Sequence, residues 1–212
     1  MDQSLQFDER EHRYTLAPAG VELPSVTTIL KDVGIIDYSH IPQEVLLKAS
    51  RRGTAVHAAL HYLDDGDLDE STVSEEIAPY IEAYQRFCRD IGFVPAFVEY
   101  RDWHRSLMYA GTLDRIGGIK RKDGGRDRMV LDFKSGLTGP RMPGHALQVT
   151  AYAAFMESPR KYRRGSLGLT KEARYELWEC GVTPHFGDTF DKDFNAFRCA
   201  LGCAHWKRQK AA

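Results

Sequence analysis

Met129-Val-Leu-Asp-Phe-Lys-Ser-Gly136 decides how the rest of the chain is read. Three hydrophobic residues run into Asp132-Phe133-Lys134 and Gly136 closes the stretch, which predicts a short buried strand ending at a polar tip. Side chains alternate along a strand, so Asp132 and Lys134 share one face while Phe133 points back into the core. A carboxylate on such a tip can hold a hard divalent cation. A lysine beside it can orient a water or offset charge on a phosphate oxygen. The plainer alternative is an exposed ion pair at a strand end, and Asp-x-Lys alone does not separate the two.

Companions for this pair lie elsewhere in the chain. Tyr109-Ala-Gly-Thr-Leu-Asp114-Arg places Asp114 on the preceding predicted strand, and Gly111 lets the backbone approach a neighbour closely. If the two strands pair, Asp114 and Asp132 converge, and two carboxylates repel unless a cation lies between them. Pairing of Asp114 with Arg115 or Lys134 is the structural alternative. His57, in Arg52-Gly-Thr-Ala-Val-His57, would as a third ligand suit Mn²⁺ somewhat better than Mg²⁺. With His61 it could instead begin a zinc site, although nothing else completes one. Glu99 sits on a strand upstream of Asp114 and is either a further carboxylate near the metal or a strand-edge charge. Gln148 and Tyr152 lie four apart on a predicted helix after the lysine strand, able to present an amide and a phenol on one face or to form a half-covered polar pair.

At 212 residues, 42% hydrophobic and 11% aromatic, the chain can bury a core as one domain, 1–212. Residues 1–92 read as a mostly helical N-terminal part and 93–212 as the sheet core with a closing helix. No apolar run approaches the ~20 residues of a membrane span. The opening residues 1–9 are acidic with no apolar core, unlike a secretory signal, so the expected location is cytoplasmic. A net charge of −1 gives no overall electrostatic footprint for nucleic acid. Local patches could supply one: Arg51-Arg52, the run 160–164 and the run 207–210. Cys88, Cys180, Cys199 and Cys203 should be reduced thiols in that compartment. Cys199 and Cys203, one turn apart on a predicted helix, suggest buried packing; metal binding with Cys180 is the weaker alternative, because no Cys-x-x-Cys pair is present.

The order of elements follows from periodicity and turn residues. A hairpin is predicted over residues 12–24, then a helix start capped by Ser25. Separate helices are predicted over 42–48 and 53–63, and a long helix over 74–91 with a Thr72/Glu75 capping box and Gly92 at its end. Strands follow over 97–100, 108–116 and 128–135, the last two joined at Asp123-Gly124-Gly125. A helix over 144–156, a hairpin of 166–170 and 174–179, and a helix over 193–207 complete an α/β chain with a mixed central sheet flanked by helices.

The ordered set Gly53-x-x-x-His57, Glu99, Gly111-x-x-Asp114, Asp132-x-Lys134 and Gln148-x-x-x-Tyr152 resembles the RecB-like nucleases of the PD-(D/E)XK superfamily. That grouping includes CRISPR-associated, phage and mitochondrial DNA exonucleases, and the likeness runs from about residue 10 to about residue 208. The resemblance implies a restriction-endonuclease-like fold with Mg²⁺ or Mn²⁺ at the sheet end. It implies His57, Asp114, Asp132 and the Phe133 carbonyl as metal ligands and Lys134 as the catalytic lysine. Gln148 and Tyr152 would position the lysine or the DNA, Glu99 is a weaker carry-over, and Arg51 and Arg52 would hold substrate. The iron–sulfur branch has a cysteine upstream of the histidine that this chain lacks, so no cluster is expected. No phosphate loop is present, so any helicase or recombinase would be a separate partner. The implied activity is metal-dependent DNA hydrolysis, by an exonuclease, in recombination, repair or phage DNA processing. Rival readings are a non-catalytic nucleic-acid-binding or recombination-accessory protein on the same fold, and a hydrolase of small phosphate esters.

Overall fold

The computed structural model describes residues 3–136 and 143–211. It opens with an antiparallel three-stranded sheet, β1 (Ser4–Asp8), β2 (Arg13–Ala17) and β3 (Val21–Leu23). Helices α1 (Val26–Asp32), α2 (Gln43–Asp65) and α3 (Ala78–Ile91) follow. A second sheet then forms from β4 (Val94–His104), β5 (Tyr109–Lys120) and β6 (Arg126–Ser135). After α4 (Pro143–Ala153) come β7 (Tyr162–Leu169), β8 (Tyr175–Glu179) and α5 (Phe190–Ala211).

The five strands lie in the order β4-β5-β6-β7-β8, antiparallel throughout except for the parallel β6–β7 pair. A parallel pair needs a long crossover, and α4 lies between these two strands in the chain. The sheet is therefore mixed, and alternation along its strands feeds two helical layers. One layer packs Ile116 and Val130 with Val26, Ile29, Ala151, Phe197 and Leu201 from α1, α4 and α5. The other packs Met129, Leu131, Phe133 and Leu167 under Val56, Leu60, Tyr84 and Phe87 from α2 and α3. The expected mixed α/β architecture with a largely helical N-terminal part is what forms.

Several local expectations are corrected. Residues 42–48 and 53–63 are one helix, α2, entered from Pro42 and ended by Gly66 in the left-handed conformation. Gly53 in its interior costs about 1 kcal/mol against alanine, less than the roughly 1.5–3 kcal/mol from burying Val56 or Leu60 alone. The Thr72/Glu75 box does not form. Asp69 accepts the Ser71 N–H and starts a short 3₁₀ turn over Glu70–Thr72, while Pro79 in the first turn starts α3 at Ala78. Strand β1 is absent from the expected elements, its pattern being mostly polar on the outside. Cys199 and Cys203 are exposed on α5 instead of packed. The three arginines of the basic run 160–164 are paired within the chain: Arg160 with Asp191 at the surface, Arg163 with Glu179, and buried Arg164 with Asp193.

Candidate active site

Asp114 and Asp132 meet because β5 and β6 pair antiparallel with Arg115 opposite Leu131, which brings the next positions, 114 and 132, face to face. The Phe133 N–H donates to Asp114 Oδ2 at 2.5 Å, tying the two strands at this point. From α2, His57 Nδ1 lies 3.1 Å from Asp114 Oδ1. Lys134 Nζ lies 2.6 Å from Asp132 Oδ2. From α4, Gln148 donates Nε2–H to Asp132 Oδ1 at 2.9 Å and to Tyr152 Oη at 3.1 Å, and its Oε1 accepts from Lys134 at 3.2 Å. The close approach expected at Gly111 is to Tyr152: a Cβ there would stand 2.6 Å from Tyr152 Cε1.

These groups line one cleft of about 1000 Å³ that also includes Glu99, Arg101, His61 and residues of the small sheet. Glu99 falls between the β4–β5 pairs Val98–Arg115 and Tyr100–Leu113, which sets it across from Asp114. Its φ of +46° is left-handed, a strain of about 1–3 kcal/mol that persists only where neighbours hold it. Its carboxylate is 3.8 Å from His61 Nδ1 and 3.9 Å from Arg101 Nη2.

Electrostatics push the two acids apart. Burial and the neighbouring Asp114 charge raise the Asp132 carboxyl to about 6, against the pull of Lys134. Burial also works against an ionised Asp114, but His57, the Phe133 N–H and Lys134 outweigh it and hold this carboxyl below its ordinary value. Burial works to lower His57, and Asp114 more than offsets it, so the imidazole is raised. Lys134 is likewise raised, Asp132 outweighing desolvation. The Tyr152 phenol is pushed well up by burial and stays protonated.

The donor chemistry suits a hard divalent ion, two carboxylates with an imidazole beside them. Asp132 is buried, with Gln148 Nε2–H on its Oδ1 and the Lys134 ammonium 2.6 Å from its Oδ2. The set is not preassembled: among the described residues no three His, Cys, Asp or Glu side chains are grouped as a metal site. His57 and the Phe133 amide hold Asp114 instead.

Of the expected residues, His57, Glu99, Asp114, Asp132, Phe133, Lys134, Gln148 and Tyr152 all line this cleft. Arg51 and Arg52 do not. They border a neighbouring hollow of about 540 Å³ with Lys48 and Ser74, and Arg52 Nη2 donates to the Ser135 carbonyl at 3.2 Å. Sequence reasoning missed the buried pair behind the site. Arg115 Nε donates to Asp64 Oδ2 at 2.5 Å, its Nη1 donates to the Asp114 carbonyl at 2.6 Å, and its guanidinium covers the Phe133 ring. Asp64 lies two turns beyond His57 on α2, a helical spacing that could have signalled it. Arg101 and the Phe7–Tyr14 wall were also missed, because their approach depends on how the small sheet docks.

The fold and cleft thus define a mixed-sheet α/β protein with an acid–lysine–amide centre at one end of its sheet. No protein-family profile and no curated protein matches the chain. Among solved structures it is similar to an alkaline exonuclease (LHK-Exo) from Laribacter hongkongensis, with 12% identity and a TM-score of 0.41 over 89% of this chain and 93% of that chain. Likeness at that level assigns no activity to this chain.

Proposed function

We propose that this chain is a divalent-metal-dependent deoxyribonuclease, an exonuclease of the restriction-endonuclease-like type, hydrolysing phosphodiester bonds. The observation that carries this reading is the convergence of Asp114, Asp132, Lys134 and Gln148 in one open cleft at the sheet end. Asp114 and Asp132 would hold Mg²⁺ or Mn²⁺, with His57 and the Phe133 carbonyl as candidate further ligands. Such an ion, when bound, polarises a phosphoryl oxygen and lowers the pKa of a bound water.

The protein's own groups supply the rest. Lys134, paired with Asp132 in this structure, would orient the attacking water and offset charge developing on the phosphoryl oxygens. Gln148 keeps Asp132 and Lys134 in register, and Tyr152 packs beneath it. Arg51 and Arg52, next along α2 from the cleft-lining Gly53 and Thr54, would take the backbone of the strand beyond the centre.

A binding protein that has given up turnover has no need of Asp114, Asp132 and Lys134 together in one cleft, which favours hydrolysis. The test is incubation of the full chain with 5′- and 3′-labelled linear and closed circular DNA in Mg²⁺ or Mn²⁺. Shortening of linear but not circular DNA, lost in Lys134→Ala, supports the reading. Intact activity in that variant removes Lys134 from it, and cutting of the circle replaces the exonuclease with an endonuclease.

A further inference from the structure

Strands β1 and β2 send Phe7 and Tyr14 to the cleft, the turn between them sends Glu9 and His12, and β4 sends Arg101. None of them is among the groups proposed to carry the hydrolysis. Their arrangement is ordered: the Tyr14 and Phe7 rings lie 4.6 Å apart and tilted by 33°, and the Arg101 guanidinium carbon sits 4.7 Å over the Phe7 centroid. His12, in a left-handed turn with φ +50°, meets the Phe7 ring edge-on at 5.1 Å. The Tyr14 hydroxyl is fixed by Thr112 at 2.7 Å. Arg101 is therefore a guanidinium plane mounted on an aromatic base, and its side chain is 39% exposed.

Its charge is already answered. Glu9 Oε1 is 3.5 Å from Nη2 and Glu99 Oε2 is 3.9 Å from the same atom. With Glu9 and Glu99 at its edge, the guanidinium has its charge partnered within the protein and presents its plane to a guest. Guanidinium planes and aromatic rings stack nucleobases of any sequence. The position fits as well. Arg101 pairs with Thr112, two residues along β5 from Asp114, about 7 Å by the rise of a strand.

We propose that Arg101, backed by Phe7, is a stacking plane for an unpaired nucleobase next to the reacting phosphate, so that the substrate is single-stranded DNA and a duplex end must fray to enter. The inference rests on the nuclease reading and gives its substrate class. A base inside a duplex has both faces covered and a blunt end offers only the outer face of its terminal pair, whereas an unpaired base can turn freely onto the plane.

The test is a set of binding titrations with the full chain in Ca²⁺, followed by fluorescence anisotropy. The three probes are a single-stranded oligonucleotide, the same strand with abasic residues at both ends, and a blunt hairpin duplex. The wild type should bind the first at least about tenfold more tightly than the other two, the scale of one to two stacked bases. Arg101→Lys keeps the charge and loses the plane, so its preference should fall to about onefold with abasic binding unchanged; Phe7→Leu should do the same. Thermal melts of both variants check that the fold survives. Arg101→Lys binding like wild type, equal wild-type affinity for all three probes, or no binding to any, overturns the proposal. The nuclease reading is judged separately by Mg²⁺-dependent cleavage: cleavage without base preference sinks the stacking plane alone, and preference without cleavage sinks the nuclease alone.

Discussion

Gln148 sits between the two ends of the Asp132–Lys134 pair, donating to Asp132 Oδ1 at 2.9 Å while accepting from Lys134 Nζ at 3.2 Å. One amide thereby fixes the rotamers of both groups from a separate helix. Removing a supporting partner of this kind costs roughly 10–100-fold in metal affinity or activity. Gln148→Leu should lower kcat by that order; it also strips buried Asp132 Oδ1 of its amide donor, about 1–3 kcal/mol of stability, so steady-state kinetics are measured below the melting transition of the variant. Unchanged kcat would show that Lys134 and Asp132 need no help.

The Asp64–Arg115 pair is buried on both sides and ties α2 to β5 directly behind Asp114. Breaking such a pair leaves an uncompensated charge and costs about 3–5 kcal/mol. Arg115→Met should therefore unfold at markedly lower denaturant than wild type, whereas Asp64→Asn together with Arg115→Met should recover part of the loss. A double-mutant cycle by urea unfolding measures the coupling. Additive effects would mean the two side chains do not act as a pair.

Much of the site could be read from the chain alone, and the reasons are local. Asp132 and Lys134 share a face because strands alternate, and Asp114 meets Asp132 because the Asp123-Gly124-Gly125 turn joins adjacent strands. Gln148 and Tyr152 follow from helical spacing. What sequence could not supply is contact between distant segments. The Phe7–Arg101 contact joins β1 to β4, and Asp64–Arg115 joins α2 to β5 across the core. Charge runs misled for the same reason: Arg163 and Arg164 look like a patch for nucleic acid until the fold brings Glu179 and Asp193 to them. The continuity of α2 through Gly53 was hidden because packing, not propensity, decides it.

His145 gives a pH signature. It is buried on α4 with Nδ1 lacking a hydrogen-bond partner among the described residues, and burial, with Lys134 nearby, lowers its pKa to about 3. The unfolded imidazole takes up a proton near 6.5, and the folded one refuses it until about pH 3. Folding therefore gains from this group fully above 6.5 and loses as pH falls through that window, by up to about 1.4 kcal/mol per pH unit. His145→Gln should flatten that part of the stability–pH curve measured by urea unfolding. A curve with the wild-type slope would show that the imidazole ionises in the fold.

Asp132 predicts how a metal should act on stability. With its carboxyl raised to about 6, an incoming cation must displace a proton at low pH but not at higher pH. At a hundredfold excess over Kd, Mn²⁺ would add about 2.7 kcal/mol, several degrees in Tm for a chain of this size. The shift should be larger at pH 7.5 than at pH 5.5 and absent in Asp132→Asn. Equal shifts in the variant would move the ion elsewhere.

The most direct measurement is the initial rate of nucleotide release from uniformly labelled linear DNA, with Mg²⁺ and with EDTA, for wild type, Asp114→Asn and Lys134→Ala. The account predicts release only with the metal, reduced by about 10²–10³ or more in each variant, in line with loss of one transition-state charge stabiliser. Release in EDTA, or a wild-type rate in either variant, would contradict it.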